Sequence, residues 1–171
     1  MGATATPTTA TPKADALRTT VLAGLVAGIV MGAIMYAGSD VLSTIGAIVG
    51  PSGAIAGWIL HLLLSMGFAV GFVLLLATTP VASAFREPVD TALLGVAYGG
   101  LLAIVTWGVV IPISLLSGGS FPLGLTPSAT VMARISVVLG IAHLSYGLVL
   151  GAIVATRLQP RPLFADRPAE A

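Results

Sequence analysis

The sequence predicts an all-α protein, a bundle of four transmembrane helices. Three observations predict it. Hydrophobic residues make up 57% of the 171-residue chain and charged residues only 8%, against about 25% charged in an ordinary soluble domain. The mean hydropathy is +1.08. The few charges gather at five places, and long apolar stretches lie between them. A soluble globule of this composition lacks the polar side chains to cover its surface, and a fully disordered chain would leave too much apolar surface in water.

The apolar stretches fall at residues 17–37, 54–77, 92–116 and 132–155. Each is close to the roughly 20 residues that cross about 30 Å of hydrocarbon. They run continuously apolar, without the alternation of barrel strands, so helices are the form that satisfies their backbone in lipid. Residues 1–16 are rich in Ala, Thr and Pro and read as a disordered cytoplasmic tail. The apolar run that follows is long for a signal peptide, and Met35, Tyr36 and Ala37 make a poor cleavage site, so it reads as an uncleaved span. Residues 157–171 read as a second tail. With four spans both ends share one side, which holds Lys13, Arg18, Arg86, Arg157, Arg161 and Arg167. The other side holds only Arg134. The positive-inside rule puts both termini in the cytoplasm of a multi-pass protein of the cell membrane, with Arg134 snorkelling to the outer headgroups.

Small residues spaced four apart let helix backbones approach in lipid. Gly24, Gly28 and Gly32 form such a stripe on the first span. Gly67 and Gly71 do so on the second, Gly95 and Gly99 on the third, and Gly147 and Gly151 on the fourth. These nine are the expected packing positions, and the same stripes offer a route to homo- or hetero-oligomers. Pro112 frees a carbonyl near Gly108 and predicts a kink in the third span. Asp90 reads as the N-cap of that helix. The two halves look related. An offset of 82 pairs His61 with His143, and an offset of 80 pairs Gly67 and Gly71 with Gly147 and Gly151. The two registers exclude each other.

The only histidines, His61 and His143, both lie within spans, where an ionisable group is a functional candidate by default. Three readings compete. Each imidazole holds a structural hydrogen bond across a helix interface, with Ser65, Ser145, Tyr146 or a carbonyl opened near Pro112 as candidate partners. Alternatively, both ligate a b-type haem, or they form part of a relay in a small transporter or channel component. Depth speaks against haem: His61 lies roughly 12 Å from its helix start and His143 roughly 20 Å. A relay usually includes a buried carboxylate, and no span core contains one.

Cysteine is absent, which removes thiolate metal sites and Cys nucleophiles. No phosphate loop, His-Glu-x2-His or Gly-x-Ser-x-Gly motif is present. The expectation is therefore no enzyme, no catalytic or metal site and no cofactor, haem b being the alternative. A net charge of +1 without a basic run speaks against nucleic acid; the lipid bilayer is the expected partner.

Three segments carry a family resemblance: Ala23-Gly24-Leu25-Val26-Ala27-Gly28 continuing to Met31, Gly57-Trp58-Ile59-Leu60-His61-Leu62, and His143-Leu144-Ser145-Tyr146-Gly147-Leu148-Val149-Leu150-Gly151. Over about residues 20–155 the chain resembles a family of small four-helix membrane proteins of bacteria and archaea, akin to the YagU-like inner-membrane proteins. The resemblance implies an integral membrane location and a matched histidine on the second and fourth helices. It implies no substrate, since the family has no established activity. Ser65 stands where the pattern has glycine.

Overall fold

The computed structural model describes residues 12–39, 41–46, 53–79, 87–110 and 128–158. Four long helices, α1 (Pro12–Gly38), α3 (Ala54–Thr78), α4 (Pro88–Val105) and α5 (Ala129–Arg157), carry the apolar stretches. A short helix, α2 (Val41–Gly46), lies between α1 and α3, and a π-helical turn, Thr106–Val110, extends α4. All four long helices are long and apolar enough to cross a membrane. Their outward faces carry exposed aliphatic side chains such as Leu22, Leu63, Leu93 and Leu148, a surface suited to acyl chains and not to water. The chain is an integral membrane protein with an all-α, four-helix bundle.

Helix ends differ from the expected spans in ways that local chemistry explains. α1 begins at Pro12, so residues 12–16 are helical and do not belong to the tail; proline suits a first helical position because its missing N–H would be unsatisfied there anyway. The same holds for α4, which starts at Pro88 and not at residue 92. Its N-cap is Glu87 rather than Asp90, and Asp90 reaches back to accept the Glu87 N–H at 3.2 Å. Toward its other end α4 changes winding at Thr106–Val110. That turn contains Gly108, whose carbonyl cannot receive an N–H from Pro112. Pro112, Asp40 and residues 111–127 lie outside the described residues, as do the far ends of both tails. α2 has no apolar periodicity long enough to announce it. It exists because it folds back on α3, burying Leu42, and the backbone of Leu42 occupies the place where a side chain on Gly57 would go.

α1 packs antiparallel on both α3 and α5, and α4 packs antiparallel on α5. At each seam a neighbouring helix stands where a β-carbon would otherwise be. A β-carbon on Gly24 would lie 2.6 Å from that of Ala69, and one on Gly28 would lie 2.7 Å from that of Ser65. Gly32 makes room for the six-membered ring of Trp58. The α4–α5 seam is tighter still: Gly95 abuts the Gly147 carbonyl, Gly99 the His143 carbonyl, and Gly151 the Thr91 carbonyl. Between α3 and the α4–α5 pair the separation is spanned by large side chains, Phe72, Tyr98 and Tyr146. At the far end Arg134 donates through Nε to the Gly38 carbonyl at 2.9 Å. It thus closes the C-terminus of α1, where orphan carbonyls carry partial negative charge.

Two of the nine expected packing glycines fall outside this pattern. Gly67 is exposed, and a β-carbon there would meet nothing within 4 Å. Gly71 sits under the Tyr98 hydroxyl, 3.2 Å from its would-be β-carbon, and touches no backbone. Both sit off the stripe Gly57, His61, Ser65, Ala69 that α3 buries.

Gly95→Leu is therefore expected to cost more than the about 1–3 kcal/mol of an ordinary overpacked core, because the obstacle is backbone and cannot rotate aside. Gly67→Leu is expected to leave stability unchanged. Thermal unfolding in mild detergent followed by circular dichroism checks the pair; similar losses in both would refute the packing account.

Candidate functional site

α3 and α5 each bury one histidine among the core side chains, His61 at 5% and His143 at 6% exposure. Their surroundings bring polar groups from four helices together. His61 projects from α3 onto α1, where Nε2 lies 2.9 Å from the Gly28 carbonyl. A carbonyl can only accept, so this nitrogen carries the proton and Nδ1 is left with a lone pair. His143 is fixed the opposite way. Its Nδ1 donates to the Leu139 carbonyl of its own helix at 2.7 Å. Its Nε2 faces the Thr106 hydroxyl at 3.5 Å. That hydroxyl spends its proton on the Leu102 carbonyl at 2.8 Å, so no proton lies between it and the bare Nε2, and the contact is not a hydrogen bond.

The partner taken by His61 is thus a glycine carbonyl on α1, none of the four candidates the sequence suggested. Two of those candidates bond to each other instead: the Tyr146 hydroxyl, on a fully buried ring, donates to the Ser65 carbonyl at 2.6 Å. The Ser65 hydroxyl turns back to the His61 carbonyl at 2.8 Å, the usual habit of a serine in a membrane helix. Tyr98, which the sequence did not single out, reaches from α4 to the Phe68 carbonyl at 2.9 Å and stacks at a tilt on Phe72 with ring centroids 5.2 Å apart. Trp58 meets the His61 ring edge-on at 6.1 Å. A tyrosine within an apolar run is the signal that would have found Tyr98, since a phenol in lipid needs an acceptor.

The expected mismatch in depth is not present. α1 and α5 are antiparallel, with Gly38 against Arg134 and Val138. Counting equal numbers of residues from there brings Gly28, and with it His61, level with residues 144–148 of α5. His143 is therefore within about one turn, roughly 5 Å, of the depth of His61. Distances measured from helix starts mislead because α5 has 29 residues and α3 has 25. Among the described residues no group of three metal-ligating side chains occurs, and no Asp or Glu is buried. The indole N–H of Trp107 is buried without an acceptor among them; nothing in the structure explains it. Comparison with protein-family models, with curated proteins and with solved structures finds no match.

Tyr146→Phe removes the only donor that α5 supplies to the Ser65 carbonyl and is expected to lower stability by about 1 kcal/mol. Tyr98→Phe, at a less buried seam, is expected to cost less. Unfolding midpoints of the two variants in the same detergent test the order, which a reversed ranking would contradict.

Proposed function

We propose that the protein is a structural or interaction component of the cell membrane, with both termini in the cytoplasm, whose buried polar groups serve to hold its helices. One observation carries this reading. Three donors buried in the bundle, on His61, His143 and Tyr146, end on backbone carbonyls of the protein itself. In lipid the bonds that cross between helices fix them in register, because no water competes for the carbonyl. The resemblance to small four-helix membrane proteins agrees with this reading, as does the absence of any motif for catalysis.

A second reading, a b-type haem or electron-transfer site on His61 and His143, gains from the shared depth of the two rings. It is weakened by the bond from His61 Nε2 to Gly28, which ligation through that nitrogen would have to break. A transporter or channel has less support, since Ala27, Tyr146 and Leu150 fill the centre where a watered passage would run.

An absorption spectrum of the protein purified in mild detergent from its native host separates these readings. No Soret band is expected; a band lost in both His61→Ala and His143→Ala would establish the haem site instead. Orientation is tested on the native cysteine-free background. Ser128→Cys should react with an impermeant maleimide in intact cells, and Glu87→Cys only after permeabilisation. The reverse pattern would invert the topology.

A further inference from the structure

The burial pattern decides between the two internal registers. At an offset of 82 five of the six buried residues of α3, Gly57, His61, Ser65, Ala69 and Phe72, fall on the buried Leu139, His143, Gly147, Gly151 and Val154 of α5, and the sixth, Leu76, falls on the half-buried Leu158. At an offset of 80, Gly57 and His61 would fall on the exposed Val137 and Ile141. The first helices of the two halves match as well. Thr20, Gly24 and Gly28 of α1 fall on Thr91, Gly95 and Gly99 of α4 at an offset of 71, and all six are buried.

The contacts correspond too. Gly24 faces Ser65 and Ala69, and Gly95 faces Gly147 and Gly151, their equivalents. Gly28 faces Ser65, and Gly99 faces Gly147. Two independent offsets thus reproduce one antiparallel seam. Outside the seam the halves differ, since Tyr146 and Leu150 are buried where Leu64 and Phe68 are exposed; at the seam the large difference is the histidine. His61 lies across its seam on the Gly28 carbonyl, whereas His143 stays on its own helix and leaves the Gly99 carbonyl unvisited by its ring.

We infer that the chain is two copies of one helical hairpin, and that the residues four and eight positions after the histidine choose where its imidazole goes. In the first hairpin those residues are Ser65 and Ala69. Their β-carbons stand against Gly28 and Gly24 and hold α3 away from α1, and the ring enters the gap. In the second they are Gly147 and Gly151. Backbone then meets backbone, so close that the His143 carbonyl itself sits where a β-carbon of Gly99 would be. No gap remains, and the ring folds back to the Leu139 carbonyl. Ser65 and Ala69, and their counterparts Gly147 and Gly151, are positioning residues. They act on the imidazole through helix spacing and set which of its nitrogens carries the proton.

Nitrogen-15 NMR of the full-length protein with labelled histidine tests this directly, because the chain has only two histidines. The wild type should show one ring protonated at Nε2 and the other at Nδ1, with His61→Asn assigning the pair. Gly147→Ser with Gly151→Ala forces α5 off α4 and should move His143 to the Nε2–H form, bonded to the Gly99 carbonyl. Ser65→Gly with Ala69→Gly should move His61 to the Nδ1–H form, bonded to the Gly57 carbonyl that corresponds to Leu139. Two identical tautomers in the wild type would overturn the inference. So would unchanged tautomers in both variants once circular dichroism shows them folded. Should a double variant fail to fold, Ser65→Gly or Gly147→Ser alone is expected to shift its tautomer in the same direction, and an unchanged tautomer there overturns the inference equally.

Discussion

Hydrocarbon offers a backbone carbonyl no donor and a side-chain donor no acceptor, and the rest of this structure follows from that constraint. Helices satisfy their own backbones first. What remains is a small number of side-chain donors that must find carbonyls, and helix surfaces that gain little from leaving lipid. At the seam of α1 and α3 both problems are solved together. Where glycines bring two helices together, carbonyls of one helix come within reach of side chains on the next. The bond from His61 to Gly28 lies at such a seam, where Gly28 stands against Ser65.

The seams are not equivalent in strength or in kind. α4 and α5 meet backbone to backbone through Gly95, Gly99, Gly147 and Gly151. α1 and α3 meet with glycine on one side only. α3 and the α4–α5 pair do not meet by backbone along most of their length, and Phe72, Tyr98 and Tyr146 span the distance. A tyrosine suits that position, since its ring fills the space and its hydroxyl ends on a carbonyl. The bundle is therefore two zipped hairpins joined by α1 on α5 and by aromatic struts. His61 ties α3 to α1 within the first hairpin, and Tyr146 ties α5 back to α3 across the two.

The histidines show how packing rather than identity fixes chemistry. The same residue type, at the same place in the same kind of hairpin, presents opposite ring nitrogens to its surroundings. The neighbours that differ are a serine and an alanine against two glycines. An imidazole's tautomer is set by what its other nitrogen touches, and here helix spacing decides what it can touch.

Sequence alone determined the fold class, the four spans and the burial of both histidines, because hydropathy and charge placement answer directly to the solvent. Of the nine glycines it marked, all but Gly67 and Gly71 sit in close contact with a neighbouring helix. It could not place Gly67, because spacing of four fits two stripes on one helix and only the neighbours show which is used. The ends of α1 and α4, the turn at Thr106–Val110 and the small helix α2 rest on single prolines and on contacts between distant segments, which periodicity does not register. The partners of His61 and Tyr146, and the common depth of the two histidines, were decided by tertiary structure. A side chain on one helix has no means of specifying in sequence which carbonyl of another will stand opposite it; that is settled only when glycines fix how closely, and in what register, the helices lie.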